Sequence, residues 1–195
     1  KIKEKEISLS PGSYYSLIIA IEPDEDVEPG IYVGQIVLTS GQFKKIITLI
    51  IQIDPKNQDL ELNLNIPIKK IQAGDSLNAD LNIKNIGNFK PLTLDITNQI
   101  KDLQGNIIAK ENKKQILEDS LTISIQLKTP VNLKPGTYIL EAEASYNPTV
   151  RTAQSFIVTA PTLEEPVMFT QYYRQFFIII LLLIILIMLY YIAKK

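Results

Sequence analysis

Apolar and polar residues alternate along most of the first 160 residues, which is the pattern of β-strands with one dry and one wet face. Five segments show the alternation most clearly: 60–66, 77–83, 92–96, 121–127 and 138–144. Strands that each have one apolar face bury it by packing two antiparallel sheets face to face. The alternation therefore predicts a mostly β body built as a sandwich.

Turn signals rich in glycine and asparagine separate these segments. They are Ala73-Gly74-Asp75, Asn85-Ile86-Gly87-Asn88, Gln104-Gly105-Asn106 and Lys134-Pro135-Gly136. About seven short strands in roughly a hundred residues match the size of an immunoglobulin-like domain. We therefore predict that residues 57–160 form one complete immunoglobulin-like antiparallel β-sandwich.

The alternation gives way near the C-terminus to an unbroken apolar run. Residues 176–193 contain no charged or strongly polar side chain. A helix of that length rises about 27 Å, close to the roughly 30 Å thickness of a bilayer's hydrocarbon core. We predict one transmembrane α-helix at 176–193, preceded by a juxtamembrane linker at 161–175 and followed by a cytoplasmic tail at 194–195. A buried core helix and a tail cleaved for a lipid anchor are the alternatives.

Aromatic and basic residues flank this run, as they do at the two interfaces of a membrane span. The predicted membrane-interface residues are Tyr172, Tyr173, Arg174, Tyr190, Tyr191, Lys194 and Lys195. The positive-inside rule favours the Lys-Lys end as cytoplasmic, because Glu164 and Glu165 lie on the opposite flank. This predicts a single-pass type I protein of the plasma membrane with extracellular β domains. Such an orientation needs an export signal, so we expect Lys1 to be a cut end.

A short motif occurs twice, as Pro29-Gly30-Ile31-Tyr32 and as Pro135-Gly136-Thr137-Tyr138. Proline presets φ, glycine permits a tight turn, and the tyrosine opens the next strand. Both tyrosines are predicted to be structural, with a buried ring and a hydroxyl bonded to backbone near the turn. This is the tyrosine corner of immunoglobulin-like sandwiches.

The repeat extends beyond the motif, because the same distance separates Tyr32 from Pro55 and Tyr138 from Pro161. Residues 1–54 are therefore predicted to be the C-terminal part of another immunoglobulin-like sandwich, with three strands. A complete three- or four-stranded unit docked on the next domain is the alternative. The predicted architecture is thus immunoglobulin-like antiparallel β-sandwiches in tandem, followed by one transmembrane α-helix.

Two known families resemble these segments. The stretch from Ser10-Pro11-Gly12 through Pro29-Gly30-Ile31-Tyr32 to Ile36 resembles the C-terminal half of NEW3-type domains of prokaryotic surface proteins. Residues 57–160, with Ile83-Lys84-Asn85-Ile86-Gly87-Asn88 and Lys134-Pro135-Gly136-Thr137-Tyr138, resemble a CARDB-like domain. The resemblance implies an archaeal envelope protein with a C-terminal membrane anchor, used for adhesion, spacing or scaffolding. It brings no catalytic residues.

The composition removes several kinds of chemistry. The chain has no Cys, no His and no Trp, so the usual ligands of zinc, haem and iron–sulfur clusters, thiol nucleophiles and Ser-His-Asp triads are missing. Its net charge is −1, and the body before the apolar run is more acidic still. Such a surface does not suit nucleic acid. We predict no enzyme activity, no cofactor, no nucleic-acid partner and no small-molecule substrate.

Two clusters of acidic residues are candidates for a metal or catalytic site. The first comprises Glu22, Asp24, Glu25, Asp26 and Glu28. Alternate oxygen ligands can hold calcium, but this loop lacks the glycine and the distal glutamate of a standard calcium loop, so a solvated turn is favoured. The second is Glu141 with Glu143, a pair of the kind used in glycoside hydrolysis. The alternation places both on the wet outer face, opposite the row that contains the core tyrosine.

Two classes of function remain. The favoured one is a membrane-anchored structural or interaction protein, a stalk or scaffold that presents immunoglobulin-like domains at the cell surface. Its predicted partners are membrane lipid and other envelope proteins. The alternative is a glycan- or ligand-binding surface module, or an accessory subunit of a larger membrane complex. Most aromatic residues fall at predicted core or membrane positions rather than on an exposed face, which favours the first class.

Overall fold

The computed structural model describes residues 6–24, 26–88, 90–161 and 176–185, and in these residues it contains ten strands and one helix. The strands are β1 (Gly30–Ser40), β2 (Phe43–Ile53), β3 (Leu60–Asn65), β4 (Lys70–Gln72), β5 (Ser76–Asn85), β6 (Leu92–Lys101), β7 (Ile107–Leu117), β8 (Ser120–Lys128), β9 (Gly136–Ser145) and β10 (Val150–Thr159). The helix, α1, covers residues 176–185. The mostly β prediction is confirmed.

Strands β3 to β10 form a two-sheet sandwich. One sheet has the order β3-β5-β8 and the other the order β4-β10-β9-β6-β7. In immunoglobulin terms, β3, β5 and β8 take the places of strands A, B and E, and β6, β9 and β10 those of C, F and G. One pairing departs from the antiparallel prediction, because the short β4 runs parallel to β10.

The core lies between the two sheets and is built from the apolar rows that the alternation predicts. The buried members of those rows are Leu60, Leu64, Ile66, Leu77, Ala79, Leu81, Ile83, Leu92, Leu94, Ile96, Ile123, Ile125, Leu127, Tyr138, Leu140, Ala142 and Ala144. Leu62 and Leu121 belong to the same rows but are only partly buried. Each strand thus contributes one dry face, as period-two patterning requires.

The turn after β5 explains one of the sequence motifs. The backbone N–H groups of Ile86 and Gly87 both donate to the carbonyl oxygen of Asp59, at 2.8 and 3.2 Å. A Cβ on Gly87 would lie 2.6 Å from the Cβ of Asp59. The turn therefore needs glycine because the segment before β3 passes directly against it.

Strands β1 and β2 form a separate two-stranded antiparallel sheet. In the described part of residues 1–54 these are the only strands, where the sequence predicted three. The segment 6–24 contributes no strand, because its backbone pairs with neither β1 nor β2. The described residues before β3 therefore contain one two-stranded hairpin.

Helix α1 is the described part of the predicted membrane segment. All ten of its side chains are apolar and exposed. Within the described ranges, no helix is both long enough and apolar enough to span a bilayer. The remainder of the predicted span (186–193) lies outside the described residues, as do linker residues 162–175 and the tail. The same holds for every predicted membrane-interface residue: Tyr172, Tyr173, Arg174, Tyr190, Tyr191, Lys194 and Lys195.

Candidate interaction surfaces

The two motif tyrosines make the same hydrogen bond. The hydroxyl of Tyr138 donates to the carbonyl oxygen of Lys134 at 2.8 Å, and that of Tyr32 donates to Glu28 at 2.8 Å. Each ring also lies over the glycine two positions before it, Gly136 or Gly30, within van der Waals contact of where a Cβ would be. Both motifs therefore fold as corners in which the tyrosine joins the start of its strand to the preceding turn.

The two corners differ in burial. The ring of Tyr138 is 8% exposed and lies 6.1 Å from the ring of Phe156, whereas Tyr32 is 40% exposed. Burial raises the pKa of the Tyr138 hydroxyl, and the negative charge of Asp102 raises it further. The predicted buried ring is wrong for Tyr32. The β1–β2 hairpin has only two strands, and Tyr32 lines a pocket beside β9 at the surface of the sandwich, so its ring is not enclosed between two sheets as that of Tyr138 is.

The outer face of β9 is not fully wet, which corrects a second prediction. Ile139 and Glu141 point away from the core, yet they are only 2% and 5% exposed. The β1 strand and the β6–β7 turn lie beside them and, with them, line an open pocket of about 270 Å³. The residues lining it are Ile31, Tyr32, Val33, Lys101, Asp102, Leu103, Gln104, Gly105, Ile139 and Glu141. The prediction of a solvated Glu141 fails because the hairpin covers this part of the sheet.

Glu141 is fully engaged by the neighbouring strand. The amide of Gln99 donates to one carboxylate oxygen at 3.0 Å, and the ammonium of Lys101 donates to the other at 2.9 Å. Glu143, two residues on, binds the guanidinium of Arg151 at 2.8 Å instead. Because each carboxylate is tied to its own cation, the pair holds strands together and is not arranged as an acid and a base that act on one bond.

The turn that faces the hairpin is held by one carboxylate. Asp102 accepts hydrogen bonds from the backbone N–H groups of Gln104 and Asn106 and from the Asn106 side chain. These bonds, that from the Asn106 side chain first, lower the pKa of Asp102. The turn thus presents a fixed shape to β1.

The acidic cluster at 22–28 does not assemble as a site in the described residues. Glu22, Asp24, Asp26 and Glu28 are exposed, and Glu25 lies outside the described residues. In the described part of the chain, no three acidic side chains come together in a way that could hold a metal ion. The carbonyl of Glu28 instead accepts the hydrogen bond of the Tyr32 corner. The loop therefore serves as the turn before β1.

Among the described residues, the side chain of Asn98 is buried with neither of its polar atoms hydrogen-bonded. Asn98 is fully buried in the inner row of β6, between Ile96 and Ile100, and neither its amide nitrogen nor its carbonyl oxygen makes a hydrogen bond. Burying an amide without a hydrogen bond costs about 1–3 kcal/mol in proteins. Asn98 therefore lowers the stability of the core.

Replacing Asn98 with leucine is therefore expected to raise the free energy of unfolding by about 1–3 kcal/mol, because an apolar group of similar size loses no hydrogen bond. Chemical denaturation followed by circular dichroism measures it. The matched control is Asn63→Leu, an exposed residue on the outer face of β3, which should change stability by less than about 0.5 kcal/mol. A destabilised Asn98→Leu variant would mean that the native side chain does have a partner.

Comparison with known proteins adds only distant likenesses. No protein-family model and no curated protein sequence matches the chain. Among solved structures, it is similar to a family 123 glycoside hydrolase from Clostridium perfringens, at 14% identity and a TM-score of 0.40, covering 53% of this chain and 28% of that one. It is similar to the CARDB domain of a Pyrococcus furiosus protein in complex with di-metal ions, at 14% identity and a TM-score of 0.36, covering 53% and 90%.

A third solved structure is a mutant β-glucosidase from Listeria innocua in complex with laminaribiose. The identity is 17% and the TM-score 0.36, and the match covers 56% of this chain and 17% of the glucosidase. The chain thus matches less than a third of either glycosidase. The immunoglobulin-like description of the sandwich rests on its own strand order and tyrosine corner.

Proposed function

We propose that this chain is a membrane-anchored structural and interaction protein, a stalk or scaffold that presents immunoglobulin-like domains at the cell surface. The observation that carries the proposal is helix α1, whose ten side chains are all apolar and all exposed. A globular protein that left such a cylinder in water would lose the hydrophobic free energy of its burial. Lipid is the environment that suits it, and the apolar sequence continues to Ala193.

The β1–β2 hairpin supports the interaction part of this proposal. Val33 and Val37 lie exposed on one face of the hairpin, and Leu38 and Ile47 lie exposed on the other. At the hairpin end, Phe43 is almost fully exposed. Apolar patches of this kind commonly mark protein–protein contacts. The exposed side chains of the hairpin thus offer a partner protein an apolar surface on which to pack.

The polar groups of the sandwich suit a mechanical role better than a chemical one. The carboxylates of Glu141 and Glu143 are each neutralised by a cation on an adjacent strand. We therefore assign no catalytic residue and propose that these pairs stiffen the sheet. In the proposed topology, the β domains lie outside the plasma membrane of a prokaryotic, archaeal-type envelope, and Lys194 and Lys195 lie in the cytoplasm.

The topology is tested by protease protection on cells that express the chain with an export signal and an epitope tag after Lys195. Protease added to intact cells should digest the β domains and leave a tagged fragment that contains the membrane segment. Permeabilised cells provide the control, in which the tag should also be lost. Loss of the tag with survival of the β domains in intact cells would reverse the topology. Release of the whole chain into the soluble fraction would contradict the proposed membrane anchor.

A further inference from the structure

Strand β8 ends the three-stranded sheet, and in the described residues it pairs only with β5. Its nine residues contain no proline, no glycine and a single charge, Lys128, at the very end. The two edge strands of the opposite sheet differ from β8 in charge or in length. Strand β7 carries Lys110, Lys113 and Lys114, and β4 has only three residues. Lysines and short strands discourage edge-to-edge pairing. At the remaining edge, β3, the Gln154 amide already donates to the carbonyl oxygen of Leu64 at 2.6 Å, so β8 is the edge left open to pairing.

The sequence of β8 is close to a palindrome. Around Ser124, the residues at equal distances are Ile123 and Ile125, then Thr122 and Gln126, then Leu121 and Leu127. An antiparallel pair of β8 strands centred on Ser124 would therefore set isoleucine against isoleucine and leucine against leucine. On the other face, it would set the Thr122 hydroxyl against the Gln126 amide. Such cross-strand pairs are favourable.

The pairing of β8 with β5 shows how its polar face behaves beside another strand. Ser124 donates to Asp80 at 3.1 Å, and Thr122 donates to Asn82 at 2.7 Å. Gln126 donates to Asn78 at 3.3 Å. These hydroxyl and amide groups both donate and accept hydrogen bonds. The same row can therefore continue its hydrogen bonds onto a strand added at the open edge.

The charges at the two ends of β8 select one direction of pairing. The exposed Glu118 and Asp119 precede the strand, and the exposed Lys128 ends it. Asp119 is already paired with Lys90, so an antiparallel copy would bring its Lys128 beside Ser120 and near the carboxylate of Glu118. A parallel copy would place like charges together, which costs free energy. The charges therefore favour a second copy related by a two-fold axis, the commonest symmetry of protein dimers.

We propose that two copies of this chain associate through their β8 edges, in antiparallel register about Ser124, and join two three-stranded sheets into one continuous sheet. The main-chain hydrogen bonds give affinity, and the palindromic side chains fix the register. One pair of edge strands is a small interface, so the dimer is weak and depends on concentration. The proposal does not rest on the membrane anchor.

Ser124→Lys is expected to destabilise the dimer without destabilising the monomer. In a single copy the new lysine would lie opposite Asp80 on the exposed face of the sheet, so the fold should be retained. In the dimer, two lysines would face each other across the axis. We expect the dissociation constant, measured by light scattering of the full chain in detergent over a concentration series, to rise roughly tenfold or more.

The matched control is Ile116→Lys, which places a lysine at an exposed position on β7, the edge strand of the other sheet. This variant should leave the dissociation constant unchanged. A wild-type chain that stays monomeric throughout the series would overturn the proposal. So would a dimer that Ser124→Lys leaves intact, or one that both lysine variants weaken equally.

Cysteine cross-linking tests the register directly, because the chain has no cysteine of its own. The Cβ atoms of directly opposed residues in antiparallel strands lie about 4.5–5.5 Å apart, within reach of a short bismaleimide. Ser124→Cys should therefore give a covalent dimer. Asn112→Cys, exposed on β7, should not. Equal yields from the two variants, or no product from Ser124→Cys, would contradict pairing at β8.

Discussion

Replacing Tyr138 with alanine is expected to lower the free energy of unfolding by about 3–5 kcal/mol, the usual cost of removing a large aromatic side chain from a core. The ring is almost fully buried against Phe156, and its hydroxyl ties the start of β9 to Lys134. Tyr138→Phe keeps the ring and loses only the hydrogen bond, so it should cost about 1 kcal/mol. Chemical denaturation of the full chain, followed by circular dichroism, measures both.

The other corner provides an internal control. Tyr32 makes the same hydrogen bond with the same geometry, but its ring is half exposed. Tyr32→Phe should therefore cost about as much as Tyr138→Phe, whereas Tyr32→Ala should cost clearly less than Tyr138→Ala. If the two alanine variants lost equal stability, the difference in burial between the corners would have no energetic consequence.

The inner rows of the sandwich could be predicted because each strand has one dry face, which leaves a period of two in the sequence. Tyr138, Leu140 and Ala142 are an example, since all three lie in the core. The same rule applies to a polar residue of β6. Asn98 occupies an even position between Ile96 and Ile100, so the alternation alone places it in the core.

Contacts between distant segments could not be predicted in this way. Glu141 is on the outer row of β9 but is buried, with Gln99 and Lys101 on its carboxylate and with β1 and the β6–β7 turn beside it. For Tyr32 the prediction of burial is wrong, because its motif has the same form as that of Tyr138 but its ring lies at the surface of the sandwich and not between the two sheets. Burial on a given face depends on which elements pack there, and local alternation does not record that. Strand β4 is too short, at three residues, to show any period.

The buried ion pair under the hairpin gives the second large expected effect. Glu141→Ala should lower the free energy of unfolding by about 2–3 kcal/mol, because it leaves the Lys101 ammonium and the Gln99 amide without their acceptor. The lysine side chain remains 23% exposed, which keeps the expected loss below that of a fully buried pair. Denaturation of the full chain measures this loss.

Two further variants show whether charge or shape is responsible. The double variant Lys101→Met with Glu141→Leu replaces the pair with apolar groups of similar size. It should recover part of the loss, because neither charge is then left unpaired, while the Gln99 amide still lacks its acceptor. Glu143→Ala breaks the neighbouring pair with Arg151, which is more open to solvent, and should cost less than about 1 kcal/mol. If Glu141→Ala and Glu143→Ala cost the same, the hairpin would not shield this part of β9 from water. If the double variant were as unstable as Glu141→Ala, the carboxylate would be needed for the packing of β1 on the sheet and not only to neutralise Lys101.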